Sequence, residues 1–126
     1  MLKKQRVKPD VLIGKVKVED YDAVIFVGGV GAKEYFESEA AHKLAREADE
    51  KEKIVAAICI APSILANAGI LKGKKATAYP SEKTNLEAKG AVFVDENVVV
   101  DGRIITANGP GAAAEFGEAI VEGLAG

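Results

Sequence analysis

The sequence is poor in the residues that form disulfides, metal sites and membrane segments. Its 126 residues include one cysteine, one histidine and no tryptophan, so no internal disulfide can form, which fits a reducing cytosol. Seventeen basic and nineteen acidic residues leave a net charge of −2, which does not favour binding to nucleic acid. No apolar run follows the basic start MLKKQR, so neither a signal peptide nor a membrane-spanning helix is expected. We therefore expect a cytoplasmic protein with no metal, cofactor, nucleic-acid or membrane partner.

What the sequence does contain is the patterning of a single α/β domain. Hydrophobic residues make up 48% of the chain and charged residues 29%, which is enough for one domain over residues 1–126. Segments typical of strands, helices and loops alternate, and this order favours a doubly wound, mostly parallel sheet. The predicted strands are residues 23–27, 54–58 and 75–78, with a hairpin turn at Asp101-Gly102 and helices at 34–36, 38–51, 63–68, 80–89 and 109–124.

The only cysteine, Cys59, lies where an apolar run stops and a helix begins. Residues 54–58 read as a buried parallel strand. Pro62 suits the first turn of a helix, and Gly69 suits its end. This pattern predicts a nucleophile elbow, with helix N–H groups lowering the pKa of the Cys59 thiol. The alternative is a lone buried cysteine that acts as a small hydrophobic residue.

Gly28 and Gly29 directly follow the predicted strand at residues 23–27. Glycines at the carboxyl end of a parallel strand let a ligand approach the backbone and leave N–H groups free to bind an anion. The spacing matches neither the dinucleotide fingerprint nor a phosphate loop. An ordinary tight turn is the alternative, but beside the elbow this pair is a candidate oxyanion donor.

Several stretches of the chain resemble the ThiJ/PfpI superfamily, the glutamine-amidotransferase-like proteins with a cysteine elbow. They are YDAVIFVGG, then AAICIAP followed by GILKGKKATAYP, and finally VVVDGRIITANGPGAAAEFGEAIVEGL. The resemblance implies a flavodoxin-like three-layer α/β sandwich with a mostly parallel sheet and a small β-hairpin, usually dimeric. It also implies that Cys59 is the nucleophile and that the backbone N–H groups of Gly29 and Ile60 form the oxyanion hole.

The chain departs from the family at the positions that would supply a base. Ile60 stands where peptidase-like members carry a histidine, and Tyr79 stands where other members place one. The only histidine, His42, falls on the polar side of a helix whose alanines face inward, so we expect it to be a solvated surface residue. No cysteine–histidine pair is therefore expected.

The start of the chain departs as well. In the family a glutamate from the turn after the first strand hydrogen-bonds the cysteine, and that strand is expected to be missing here together with its helix and the second strand. The chain would then enter the fold near residues 7–11. A sheet without its central strand is expected to expose unpaired edges and to leave the faces of residues 23–27 partly uncovered. We therefore expect the chain either to be part of a longer protein or to complete its sheet with another chain, by domain swapping or tight dimerisation.

Three further positions are candidates for binding a substrate beside the elbow, namely Gly28, Tyr79 and Pro110. The Tyr79 hydroxyl is a possible donor, and Pro110 lies in a GPG turn that opens the last helix. The alternatives are a half-buried tyrosine that packs its ring, and plain helix capping.

Two classes of function follow from this reading. One is an enzyme that uses Cys59 on small carbonyl compounds, as a glyoxalase or deglycase does, or on peptide-like substrates, as an amidase or peptidase does. The other is a redox-sensing or chaperone-like stress-response protein. In both cases we expect the chain to associate with itself as a homodimer or higher oligomer.

Overall fold

The computed structural model describes residues 23–27 and 39–125. The strands are β1 (Ala23–Val27), β2 (Ile54–Ile58), β3 (Lys75–Ala76), β4 (Val92–Phe93), β5 (Val98–Asp101) and β6 (Ile104–Ala107). The helices are α1 (Glu39–Glu50), α2 (Pro62–Asn67), α3 (Lys83–Ala88) and α4 (Ala113–Ala125), with 3₁₀ turns at Pro80–Glu82 and Pro110–Ala112. Predictions at Gly28, Gly29 and residues 1–22 and 34–36 lie outside the described residues.

The main sheet has four described strands in the order β1-β2-β6-β5. β2 pairs in parallel with both β1 and β6, whereas β5 and β6 form an antiparallel hairpin. All five residues of β2 are buried, because this strand has neighbours on both edges and is covered on both faces. A second, small sheet joins β3 and β4 in parallel. The predicted mostly parallel sheet with a small hairpin is confirmed.

Helices cover both faces of this sheet. Alternate residues of β1 and β2, including Val24, Phe26 and Val55, face a core shared with α1, α2 and α3. The other residues of these strands, including Ile25 and Ile54, face a second core under α4. This alternation follows from the two-residue period of a strand, and it gives the three-layer flavodoxin-like sandwich that the sequence predicted.

The hairpin turn lies one residue later than predicted. Asp101 is the last residue of β5 and pairs with Ile104, so the two-residue loop is Gly102-Arg103 rather than Asp101-Gly102. Gly102 has a φ of 64°, and a type II′ turn requires glycine at this first loop position. The Asp101 side chain instead accepts a 2.8 Å hydrogen bond from the Lys75 backbone N–H.

Two other predicted elements have different limits. β3 ends at Ala76 rather than at residue 78, because the Thr77 N–H donates to the Thr106 side-chain oxygen (2.9 Å) instead of continuing a strand ladder. In α4, Phe116 is buried as predicted, whereas Val121 is exposed.

The prediction that His42 is a solvated surface residue is wrong. Only 6% of His42 is exposed, and it takes part in an interaction with the rest of the protein. His42 precedes Ala45 by three residues, and residues three apart share a face of a helix. It therefore lies at the flank of the inward stripe of α1, which is buried along Ala41, Leu44, Ala45 and Ala48.

The prediction that the faces of β1 are partly uncovered is also wrong for most of this strand. Residues 23–26 are at most 9% exposed, and only Val27, at 46%, reaches the surface. In the described sheet order β1 is a terminal strand, yet its side chains belong to the two cores on either face. Within residues 23–27 and 39–125 no helix is both long and apolar enough to cross a membrane.

Candidate functional site

Cys59 lies on a tight turn directly after β2, with a φ of 65°. This left-handed conformation is uncommon for a residue with a side chain, and it persists only where the surrounding structure imposes it. Here two hydrogen bonds do so. The Cys59 N–H donates to the Ala107 carbonyl (3.1 Å), and the Cys59 carbonyl accepts from the Tyr79 N–H (2.8 Å). The predicted strand-to-helix elbow is therefore present.

The helix after the elbow is short and does not begin at the cysteine. α2 has six residues, and its first helical residue, Pro62, is three positions beyond Cys59. The Ser63 N–H donates to the Ile60 carbonyl, and the Ile64 N–H donates to the Ala61 carbonyl. Both bonds lie within the first turn, so these N–H groups are not free. Little of the helix dipole therefore reaches the thiol, because the dipole acts mainly through free N–H groups of the first turn.

Partial burial against the apolar core under α4 dominates the electrostatics of Cys59. Burial raises the pKa of the Cys59 thiol above its ordinary value, since the charged thiolate loses solvation when water is excluded. The prediction that the elbow lowers this pKa is therefore wrong. The physical reason is that a six-residue helix starting beyond the cysteine does not outweigh desolvation.

Ile60 is the part of the predicted oxyanion hole that the structure describes. Its N–H makes no hydrogen bond to any group within the described ranges, although it follows directly after Cys59. An unpaired donor beside a nucleophile is the arrangement that stabilises negative charge developing on a carbonyl oxygen. Gly29, the proposed second donor, and Gly28 lie outside the described residues.

Tyr79 and the turn before α4 border the elbow. The Tyr79 backbone is bonded to Cys59, while its side chain is 49% exposed. A Cβ on Gly109 would lie 3.7 Å from the Tyr79 ring, so the ring and the GPG turn are neighbours. Pro110 is the first residue of the following 3₁₀ turn and is exposed. The structure thus brings Cys59, Tyr79 and the Pro110 turn to one edge of the sheet.

A polar cluster behind the elbow was not found from the sequence. The Ser63 hydroxyl donates to the Glu82 carboxylate (2.7 Å), and Ser81 donates to the other oxygen of that carboxylate (2.8 Å). The Asn85 amide donates to Ser63 Oγ (3.1 Å). The only signal in the sequence was Ser63, a serine within the apolar run of α2. Its partner Glu82 is 19 residues further along the chain, so the sequence alone does not relate the two residues.

A surface groove of the described structure lies away from the elbow. A groove of about 420 Å³ is lined by Ile54, Arg103, Ile105 and Glu122 among others. Ile54 begins β2, so this groove lies at the opposite end of that strand from Cys59. Within the described ranges no group of three or more histidine, cysteine or acidic side chains could hold a metal ion.

The fold and the elbow define a class of protein, namely α/β sandwiches with a cysteine on the turn after a parallel strand. The chain belongs to the DJ-1/PfpI family, whose sequence pattern matches residues 1–123. Its structure superposes on a ThiJ/PfpI domain protein from Brachyspira murdochii with a TM-score of 0.88 and 36% identity, covering 90% of this chain and 65% of that one. The resemblance and fold predicted from the sequence are confirmed.

Curated relatives of this family include proteins named for carbonyl chemistry. The chain is 46% identical over 112 residues to the protein MJ0967 of Methanocaldococcus jannaschii, covering 86% of this chain and 55% of that protein. It is 38% identical over 104 residues to the deglycase PH1704 of Pyrococcus horikoshii, covering 82% and 63%. It is 34% identical over 121 residues to the glutathione-independent glyoxalase DJR-1.2 of Caenorhabditis elegans, covering 96% and 64%. The chain therefore spans less than two thirds of the length of these relatives.

Proposed function

We propose that the chain carries a cysteine site that acts on small carbonyl compounds, as a glyoxalase or deglycase does. The observation that carries this proposal is Cys59 at a φ of 65°, followed by an unpaired Ile60 N–H within the described residues. The relatives named deglycase and glyoxalase support the same substrate class.

The chemistry starts with addition of the thiol to an aldehyde. The Cys59 sulfur attacks the carbonyl carbon, a C–S bond forms, and the electron pair of the C=O bond moves to the oxygen. That oxygen takes up the proton lost by the thiol, so the step gives a hemithioacetal and needs no oxidant or reductant. The Ile60 N–H stabilises the negative charge on the oxygen while it develops, and Gly29 is proposed as the second donor.

The residues around Cys59 favour aldehydes over peptides. Peptide hydrolysis must protonate a leaving amine, which usually requires a histidine next to the nucleophile. Ile60 and Tyr79 occupy the two positions where related proteins carry one. Addition to an aldehyde expels no leaving group, so it proceeds without that acid. Gly28, Tyr79 and Pro110 are proposed to border the bound substrate.

The raised pKa of Cys59 argues against the redox-sensing alternative. Peroxide oxidises the thiolate, and sensor cysteines usually have a low pKa. Burial raises the pKa of Cys59 instead, so little thiolate is present near neutral pH. We therefore expect peroxide to oxidise Cys59 more slowly than a free thiol.

Self-association is part of the proposal, since the family resemblance implies a dimer. Sedimentation velocity tests this directly. A monomer over the whole concentration range would contradict it.

The activity test measures consumption of methylglyoxal by the purified chain and by Cys59→Ser and Cys59→Ala variants. We expect slow consumption that both substitutions abolish, with circular dichroism unchanged. A fluorogenic peptide serves as the second substrate and should not be cleaved. Consumption that survives in both variants, or robust peptide cleavage that depends on Cys59, would overturn the proposal.

A further inference from the structure

A ring of hydrogen bonds connects the elbow to a buried carboxylate. From Cys59 the chain runs four residues to Ser63, whose hydroxyl donates to Glu82 Oε1 at 2.7 Å. The Glu82 N–H donates to the Tyr79 carbonyl at 2.8 Å, and the Tyr79 N–H donates to the Cys59 carbonyl at 2.8 Å. These four residues, which we call the elbow ring, link the nucleophile turn to the loop after β3.

The side-chain link of the elbow ring, between Ser63 and Glu82, is closed away from water. Ser63 is fully buried and Glu82 is 9% exposed. A buried carboxylate is costly unless donors satisfy it, and hydrogen bonds to a charged oxygen are stronger than those between neutral groups. Glu82 receives two such bonds, one from Ser63 and one from Ser81. The hydrogen bond from Ser63 to Glu82 therefore contributes more to the stability of this region than a hydrogen bond at the surface would.

Asn85 fixes the direction of the Ser63 hydroxyl. Its amide donates to Ser63 Oγ and to Asn67 Oδ1, each at 3.1 Å. Because Ser63 Oγ accepts this bond, its own proton is left to point at Glu82. Asn85 of α3 is thus bonded to α2 at two positions, and one of these bonds orients the Ser63 hydroxyl.

We infer that Glu82 is a positioning residue for Cys59, acting through Ser63 and Tyr79 to keep the thiol in its left-handed, partly buried position. Cys59 at a φ of 65° is intrinsically unfavourable, and the elbow ring ties the Cys59 carbonyl and the Ser63 side chain, four residues later, to the loop after β3. Opening the ring lets the turn relax and the thiol reach water. The inference deepens the proposed function, since it concerns the same thiol, but it does not require turnover.

The test compares Ser63→Ala and Glu82→Ala with Ser81→Ala as the matched control. Ser81→Ala also removes a hydroxyl from Glu82, but one that lies outside the elbow ring. The readout is the rate of alkylation by iodoacetamide across a pH series. We expect Ser63→Ala and Glu82→Ala to react about tenfold faster near neutral pH, with the midpoint of the profile moving down towards that of a free thiol. Ser81→Ala should stay within about twofold of the wild type.

Two further variants separate positioning from loss of stability. The double variant Ser63→Ala/Glu82→Ala should react no faster than either single variant, because both remove the same link. Val99→Ala removes buried atoms from β5 and should lower the unfolding free energy without changing the alkylation profile. Equal profiles in all variants, additive effects in the double variant, or a similar acceleration in Val99→Ala would each overturn the inference.

The outcome is independent of the activity assay. If the wild type consumes no methylglyoxal but the alkylation contrast is present, the proposed function fails and the positioning role of Glu82 stands. If methylglyoxal is consumed and the alkylation contrast is absent, the proposed function stands and the positioning role of Glu82 fails.

Discussion

The backbone N–H of Tyr79 donates a 2.8 Å hydrogen bond to the carbonyl of Cys59. Residue 79 is therefore attached to the turn at Cys59 through its main chain. Its side chain, 49% exposed, is not needed for that attachment. The side chain at position 79 can thus change without moving the elbow.

Replacing Tyr79 by histidine should increase the reactivity of the thiol. An imidazole beside Cys59 favours the thiolate and lowers the pKa of the thiol. We expect Tyr79→His to raise the rate of iodoacetamide alkylation near neutral pH by about tenfold, which corresponds to one unit of pKa. Tyr79→Phe is the control and should match the wild type. Equal rates in Tyr79→His and Tyr79→Phe would show that side chains at this position do not reach the sulfur.

The pH profile of Cys59 alkylation should be displaced to high pH. Burial raises the pKa of this thiol, and only the thiolate attacks iodoacetamide. The rate is therefore low while the pH is below the raised pKa and rises as the pH passes through it. Mass spectrometry of samples labelled between about pH 6 and 11 measures the midpoint, with a small-molecule thiol as reference. A midpoint at or below that of the reference thiol would contradict the effect of burial.

Gly69→Ala should destabilise the protein by about 1–2 kcal/mol. Gly69 has a φ of 88°, and its N–H and that of Ile70 bond back to Ala66 and Leu65 in a Schellman motif. A Cβ there would meet nothing within 4 Å, so the cost is backbone strain alone. Gly117→Ala in α4 is the control, since its Cβ would also meet nothing and its backbone is helical. Chemical denaturation should find Gly117→Ala neutral or stabilising by up to about 1 kcal/mol.

Gly123→Ala should not stabilise the protein as Gly117→Ala does, although both glycines lie in α4. A Cβ on Gly123 would come within 2.8 Å of Ile54 Cδ1, and crowding of that kind offsets the gain in helix propensity. Ile54→Val removes the methyl group concerned. The two substitutions together should therefore cost less than the sum of each alone, as measured by unfolding free energies in a double-mutant cycle. Strict additivity would mean that Ile54 moves aside without cost.

The elements that could be predicted from the sequence are those fixed by neighbouring residues. The apolar run of β2, Pro62 and Gly69 specify the strand, the helix start and the helix end around Cys59 locally. Asp101 and Gly102 similarly identified a hairpin, although the loop begins one residue later. Local patterning thus located the elbow itself.

The features that could not be predicted depend on distant parts of the chain. The burial of His42 is set by what packs over the flank of α1, and the helical period alone placed it on the polar side. The pKa direction of Cys59 depends on how much core surrounds the thiol and on how short α2 is. The contact between Ser63 and Glu82 joins residues 19 positions apart, and no motif relates them.

The attachment of Cys59 to Ala107 and Tyr79 has a consequence for how such a site diversifies. Two contacts of the turn itself are made by main-chain atoms of β6 and of the loop after β3, and these main-chain groups are present whatever the side chain. Substitutions at exposed positions such as Tyr79 and Pro110 therefore leave these two hydrogen bonds in place. Side chains at the exposed positions around the elbow can in this way vary while the two main-chain bonds to Cys59 are kept.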